Sequence, residues 1–166
     1  MMPDNHIDEL RQLITRRRLS GSQAARQVDG NLIVVLDTSA SMGATDGPDG
    51  ATRLQEATAH VERLIAGVGG GDQMTIITAG RAPAVLSAAT GDRERLRAAL
   101  SDVAAENSAA DWPAALALAA GRIHGMATPR IVIVSDGGLP ADLPAVPAEV
   151  TFLPVGRSGE NLALAT

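Results

Sequence analysis

The 166-residue sequence contains no cysteine and no lysine, and its only aromatic side chains are those of Trp112 and Phe152. Without cysteine, the chain has no disulfides, thiolate metal ligands or cysteine nucleophiles. Without lysine, it has no Walker-type phosphate-binding lysine, no Schiff-base lysine and no Ser–Lys dyad. With so few aromatic residues, the core must be built from alanine, valine, leucine and isoleucine.

Long hydrophobic runs and a concentrated positive charge are also missing. No apolar run approaches the roughly 18 to 20 residues of a membrane-spanning helix. Asp4, Asp8 and Glu9 lie where a signal peptide would be basic. The formal net charge of −5 argues against nucleic-acid binding, which requires a basic surface. With 45% hydrophobic and 20% charged residues, the composition is typical of a soluble globular chain with one core.

The first 29 residues are predicted to form an amphipathic helix and a linker. The helix is expected over residues 4–18, with acidic residues in its first turn and an arginine triplet in its last, an order that suits the helix dipole. Its apolar face consists of Ile7, Leu10, Leu13 and Ile14. We therefore divide the chain into this N-terminal segment, residues 1–29, and a main domain, residues 30–166.

Strands alternate with helices in the main domain. Apolar runs predict strands at residues 31–36, 73–79, 83–88, 130–135 and 149–156, with NLALAT at the end as a candidate for one more. Helices are expected at about 54–68, 92–106 and 111–125. A tight Gly80–Arg81 connection predicts a hairpin. This order predicts an α/β fold, a doubly wound and mostly parallel sheet with helices on both faces and one antiparallel edge strand.

The first predicted strand ends in an unusual set of oxygen-bearing side chains. In NLIVVLDTSASMG, the apolar run leads into Asp37, and Ser39 and Ser41 follow at alternate positions. In an extended loop, alternate residues point to the same side. Asp136 ends the strand RIVIVS, and strand ends of a parallel sheet meet at one edge. Carboxylate and hydroxyl oxygens suit a hard divalent cation, so these four residues are candidate ligands for Mg²⁺ or Mn²⁺.

The segment DTSAS matches the DxSxS signature of the von Willebrand factor A domain family, and residues 30–156 resemble that family in the order of their elements. RLQEATAHVERLI lies where the first helix of the family lies, and IVIVSDGG resembles its acidic strand end. The resemblance implies a Rossmann-like fold with a metal-ion-dependent adhesion site. By this resemblance Asp37, Ser39 and Ser41 are the first ligand cluster, and Asp136 is the last.

Two departures from the family pattern bear on the site and on the chain length. Matching SAADWPAALALA to the family's segment places Ala110 where a threonine ligand usually lies, with Ser108 and Asp111 as possible substitute ligands. After FLPVG the family usually continues with a further helix and strand, whereas here RSGENLALAT follows. This predicts a chain that is truncated at its C-terminus.

The resemblance implies a non-catalytic binding module. A protein partner is expected to supply an acidic side chain that completes the coordination of the bound cation, with no nucleic acid and no small-molecule substrate. Specificity is assigned to loops at about 43–51, 107–112 and 137–142. The segment also resembles bacterial membrane-anchored proteins in which such a domain follows transmembrane helices, so the parent protein is expected to be membrane-associated, while the localisation of this segment is left open.

Two other functions are open. A degenerate domain of this family could bind its partner without metal, for which Ala110 is the main support. Haloacid-dehalogenase-type phosphatases also end their first strand in an aspartate near Mg²⁺, but they need a second acid two residues later, where this chain has Ser39.

Three residues near the candidate site have other expected roles. Asp46 and Asp49 are expected to be solvated turn residues. Trp112 is expected to be either a core residue or an exposed contact beside the metal loop.

Overall fold

Residues 30–157 are described by a computed structural model of the chain. The expected helix over residues 4–18, the linker that follows it and the candidate strand NLALAT lie outside the described residues. The division of the chain at residue 30 therefore stays a prediction.

Within residues 30–157, five strands form one sheet in the order β3-β2-β1-β4-β5. All neighbouring pairs are parallel except β2 and β3, which form the expected antiparallel edge. The predicted α/β fold is therefore confirmed within residues 30–157. The strands are β1 (Asn31–Asp37), β2 (Gln73–Ala79), β3 (Ala84–Thr90), β4 (Arg130–Ser135) and β5 (Glu149–Pro154).

The central strand β1 separates two hydrophobic clusters because its side chains alternate between the two faces of the sheet. Leu32, Val34 and Leu36 pack into one cluster, whereas Ile33 and Val35 pack into the other. Both sets are buried, which explains why the sequence of β1 is continuously apolar.

In the described part of the chain, three α-helices cover the sheet: α1 (Arg53–Ala66), α2 (Arg93–Ser101) and α3 (Trp112–Arg122). The first two contribute to the cluster that contains Leu36, and α3 contributes to the opposite cluster. Helix α1 begins with a capping box. The Thr52 side chain accepts a hydrogen bond from the Gln55 backbone N–H, and the Gln55 side chain accepts one from the Thr52 backbone N–H. Trp112 is 2% exposed and lies in the hydrophobic cluster to which α3 contributes. It is therefore a core residue and not an exposed contact.

The expected length of α2 was wrong. The helix ends at Ser101 and not near Glu106. The backbone of the following segment is bonded to strand ends: Glu106 N–H donates to the Thr38 carbonyl at 2.7 Å, and Asp111 N–H donates to the Gly80 carbonyl at 2.9 Å. These long-range bonds replace helical ones, and they place residues 102–111 across the carboxyl ends of β1 and β2. Within residues 30–157, no helix has both the length and the apolar character required to cross a bilayer.

Candidate metal site at the carboxyl edge of the sheet

Asp37 lies at the end of β1 and is almost completely buried, with 1% of its surface exposed. Its Oδ1 accepts a hydrogen bond from the Ser39 backbone N–H at 2.8 Å. Its Oδ2 accepts one from Ser135 Oγ at 2.6 Å, and Ser135 is the last residue of β4. Burial raises the pKa of Asp37 above its ordinary value, against the opposing effect of these hydrogen bonds. The ionised carboxylate is thus held in place but poorly stabilised by solvent.

Ser39 and Ser41 follow Asp37 and bring their hydroxyl oxygens to 3.2 Å from each other. The expected extended loop was wrong, because a 3₁₀ turn, Ala40–Gly43, follows Ser39. The turn forms around Met42, which is fully buried and whose N–H donates to the Ser39 carbonyl at 3.0 Å. The turn still gathers the two hydroxyls on one side. Ser39 is buried and Ser41 is exposed, so the pair extends from the strand end to the surface.

Asp136 follows β4 directly, and its negative charge contributes to the raised pKa of Asp37. The structure therefore brings the two aspartates close together, as the strand ends predicted. Asp136 is not free, however. Its Oδ2 accepts a hydrogen bond from Arg53 Nη1 at 2.6 Å, and only 5% of its side chain is exposed.

Arg53 also binds Asp46, a contact that was not predicted from the sequence. Its Nε and Nη2 donate to the two carboxylate oxygens of Asp46, each at 2.7 Å. Asp46 was expected to be a solvated turn residue, and this was wrong because its carboxylate is held in a bidentate ion pair. The signal in the sequence was the position of Arg53 as the first residue of α1, where the helix dipole disfavours a positive charge. Asp49, by contrast, is exposed.

The two possible substitute ligands have other partners. Ser108 Oγ donates to Glu106 Oε2 at 3.3 Å, and its carbonyl accepts a hydrogen bond from Ala40 N–H at 2.9 Å, which places it beside the serine turn. The Asp111 side chain caps α3 by accepting from Ala114 N–H at 3.0 Å. Ala110 is partly buried and packs against the cluster on the α3 side of the sheet.

Glu106 is a second residue of this edge that was not predicted from the sequence. Its Oε1 accepts from Thr38 Oγ1 at 3.2 Å, and its Oε2 accepts from the Arg81 backbone N–H at 3.0 Å as well as from Ser108. The carboxylate thus links the end of β1, the β2–β3 turn and the segment after α2. No sequence pattern indicates this, because it depends on contacts between distant residues.

The residues at this edge suit a hard divalent cation by the chemistry of their donors. Asp37, Ser39, Ser41 and Asp136 offer only oxygen atoms, and the buried carboxylate of Asp37 would gain from a nearby positive charge. Between residues 30 and 157, no group of three or more acidic, histidine or cysteine side chains is gathered closely enough to hold an ion. Binding here would therefore depend on the serine hydroxyls.

Comparisons with solved structures indicate the same fold. A conserved hypothetical protein BatB from Bacteroides thetaiotaomicron superposes with a TM-score of 0.58 and 22% identity, covering 66% of this chain and 55% of that chain. An aerotolerance-related membrane protein from Bacteroides fragilis, carrying multiple mutations to serine, superposes with a TM-score of 0.64 and 22% identity. The match covers 77% of this chain and 68% of that chain. A von Willebrand factor type A structure from Catenulispora acidiphila superposes with a TM-score of 0.56 and 16% identity. The match covers 70% of this chain and 28% of that chain.

This chain therefore spans only about half, 55%, of the BatB structure that it resembles. A search of curated proteins gives no significant match. The family model for the von Willebrand factor type A domain matches residues 32–138, which is more than half of the chain and includes both strand-end aspartates. The chain belongs to the von Willebrand factor type A domain family.

Proposed function

We propose that the domain is a non-catalytic binding module that recognises a protein partner through a divalent cation, Mg²⁺ or Mn²⁺. Domains of this family commonly mediate protein–protein interactions and often bind a divalent metal. The finer proposal is that Asp37, Ser39 and Ser41, together with Asp136, hold the ion in this chain. The bound ion would supply a positive charge at the surface to which a carboxylate of the partner coordinates.

One observation carries the proposal. Two serine hydroxyls, 3.2 Å apart, adjoin a buried aspartate whose pKa is raised by burial. A buried carboxylate without a full counter-charge is costly to a domain, and a divalent cation is the counter-charge that also uses hydroxyl oxygens. Ser41 is exposed, so an ion bound there would be accessible to a partner. The loops at about 43–51, 107–112 and 137–142 are proposed to set specificity.

Thermal unfolding tests the metal part of the proposal. A cation that binds only the folded state must raise the melting temperature of the domain. At a cation concentration of a hundred times the dissociation constant, the free energy of unfolding rises by about 2.7 kcal/mol. We expect Mg²⁺ and Mn²⁺ to raise Tm relative to EDTA in the wild-type domain and not in Ser39→Ala/Ser41→Ala. Ser101→Ala, a serine at the exposed end of α2, is the matched control and should keep the full shift. Equal melting temperatures with and without metal would contradict metal binding.

Binding without metal is a second candidate because two observations favour it. Ala110 packs against an apolar cluster where the family pattern places a threonine ligand, and Asp136 is already paired with Arg53. A pull-down with a partner, repeated in EDTA, separates the two candidates: loss of binding on chelation supports the metal-dependent mode, and unchanged binding supports this one.

A phosphatase function gains no support from the geometry. Ser39 occupies the position where such enzymes need a second acid. Arg53, the basic residue that pairs with Asp136, also binds Asp46, so both carboxylates already hold it.

We also propose that the parent protein is membrane-associated. The full gene sequence tests it, because a product without a hydrophobic segment of about 18 or more residues would contradict a transmembrane anchor.

A further inference from the structure

Arg53 is held between two carboxylates at the edge of the sheet. Three of its nitrogen atoms donate: Nε and Nη2 to Asp46 at 2.7 Å each, and Nη1 to Asp136 at 2.6 Å. The Arg53 side chain is 9% exposed and that of Asp136 is 5% exposed, whereas Asp46 is 33% exposed. The pair with Asp136 is therefore the one that is removed from solvent.

The surrounding chain closes over the guanidinium group. Gly156 has a φ of +84°, and a Cβ atom at that position would lie 2.9 Å from Arg53 Nε. The Gly156 backbone N–H donates to Glu56 Oε2 at 2.9 Å, which fixes the segment after β5 against α1. The segment after β5 therefore lies close against the Arg53 side chain, and a larger residue at position 156 would meet it. The start of α1, the loop that carries Asp46 and the end of β4 thus meet at one cation.

The location of Arg53 is unfavourable for the helix that carries it. As the first residue of α1, it adds a positive charge to the positive end of the helix dipole. The ion pairs with Asp46 and Asp136 offset this cost, and they raise the pKa of Arg53 above its ordinary value. Helix formation alone does not explain an arginine here, so its role must be sought in the two carboxylates.

We propose that Arg53 is the internal counter-ion of Asp136, which neutralises this buried carboxylate when no divalent cation is bound and thereby lets the domain fold without metal. Asp136 and the buried Asp37 are neighbouring carboxylates, and Arg53 pairs with the first of them only. The effect of Arg53 on the ion rests on the proposed metal site, whereas its neutralisation of Asp136 does not. Because like charges repel, Arg53 also lowers the affinity of the site for the ion.

Removal of Arg53 and Asp136, singly and together, tests the neutralisation in EDTA. Arg53→Met leaves a buried carboxylate unpaired, which we expect to lower Tm by on the order of 10 °C. Asp136→Asn removes that charge, so Arg53→Met/Asp136→Asn should recover at least half of the loss. If Arg53→Met does not fold, the double variant should restore folding. A double variant that is no more stable than Arg53→Met overturns the proposal.

Arg97 provides a matched control because it also pairs with two carboxylates, those of Glu62 and Glu94, but is 39% exposed. Arg97→Met should shift Tm by only a few degrees at most, since exposed ion pairs contribute little. A loss as large as that of Arg53→Met would mean that any arginine with two partners behaves this way, and it would overturn the special role of Arg53.

The same variants in Mg²⁺ test the effect on the ion. We expect the rise in Tm from EDTA to Mg²⁺ to be larger for Arg53→Met than for the wild type, and close to the wild-type value for Arg53→Lys, which retains the charge. A rise in Arg53→Met that is no larger than in the wild type overturns this part. If no protein responds to Mg²⁺ but the double variant still rescues Arg53→Met, the counter-ion role stands and the proposed metal site fails.

Discussion

Ser135 and Asp37, which are 98 residues apart in sequence, share a buried hydrogen bond of 2.6 Å from Ser135 Oγ to Asp37 Oδ2. The bond joins the ends of β4 and β1, two neighbouring parallel strands. It holds the Asp37 carboxylate in a fixed orientation at the carboxyl edge of the sheet, with Ser39 N–H on its other oxygen. The candidate ligand is therefore oriented before any ion arrives, which lowers the entropic cost of binding.

The burial of Asp37 has a cost in stability that depends on pH, which its hydrogen bonds only partly offset. Burial raises the pKa of Asp37, so the folded state holds the proton more tightly than the unfolded chain does. Above about pH 3.9, the ordinary pKa of aspartate, the unfolded chain ionises first. The free energy of unfolding therefore decreases as the pH rises from there through the raised pKa of the folded state.

We predict that Asp37→Asn stabilises the domain at pH 7 in EDTA and that this advantage disappears toward pH 4. The amide preserves the shape of the side chain and can still bond with Ser135 and Ser39. Urea unfolding of both proteins at several pH values measures the difference. Asp102→Asn, at an exposed position, is the control and should change stability by less than about 0.5 kcal/mol. A variant less stable than the wild type at pH 7 would contradict the prediction.

The second prediction concerns Ala110. Ala110→Thr offers the hydroxyl that the family pattern places at this position, and we expect it to increase the affinity for Mg²⁺ on the order of tenfold. Calorimetric titration with Mg²⁺ measures this. The neighbouring variant Ala109→Thr, at an exposed position, should leave the affinity unchanged. If both variants behave like the wild type, Ala110 does not occupy the ligand position.

The third prediction concerns Glu106 and Gly80. A Cβ atom at Gly80 would overlap Glu106 Oε1 and lie 2.7 Å from Thr38 Oγ1, so Gly80→Ala must displace the Glu106 carboxylate. Loss of its hydrogen bonds should cost about 1–3 kcal/mol in either Gly80→Ala or Glu106→Ala. Because the two changes break the same contacts, Gly80→Ala should cost much less in the Glu106→Ala background. Additive losses in chemical denaturation would show that the two residues act independently.

The sheet and the position of its acidic edge could be predicted from the sequence, because local patterns determine them. The apolar run before Asp37 and the one before Asp136 indicate strands buried on both faces, and parallel strands bring their carboxyl ends to one edge. The hairpin after Gly80 was also predicted correctly. The family resemblance is confirmed by the match over residues 32–138, whereas the roles of the four candidate ligands stay predictions.

The contacts around the site could not be predicted because they join distant residues. Arg53 pairs with Asp136 across 83 positions, and Glu106 bonds with Thr38 across 68. Helix α2 ends early since the backbone of the following segment bonds to the strand ends, which no helical period reveals. The one local signal was an arginine at the start of α1, where the helix dipole makes it unfavourable.

Direct titration with Mn²⁺, monitored by calorimetry, tests the central claim of a metal site at this edge. We expect one ion per chain in the wild-type domain, no detectable binding in Ser39→Ala/Ser41→Ala, and wild-type binding in Ser101→Ala. The double serine variant should still fold in EDTA, because Asp37 keeps its hydrogen bonds from the Ser39 backbone N–H and from Ser135 Oγ when the Ser39 hydroxyl is removed. Absence of binding in the wild type, or equal binding in the double serine variant, would contradict a metal site built on these serines.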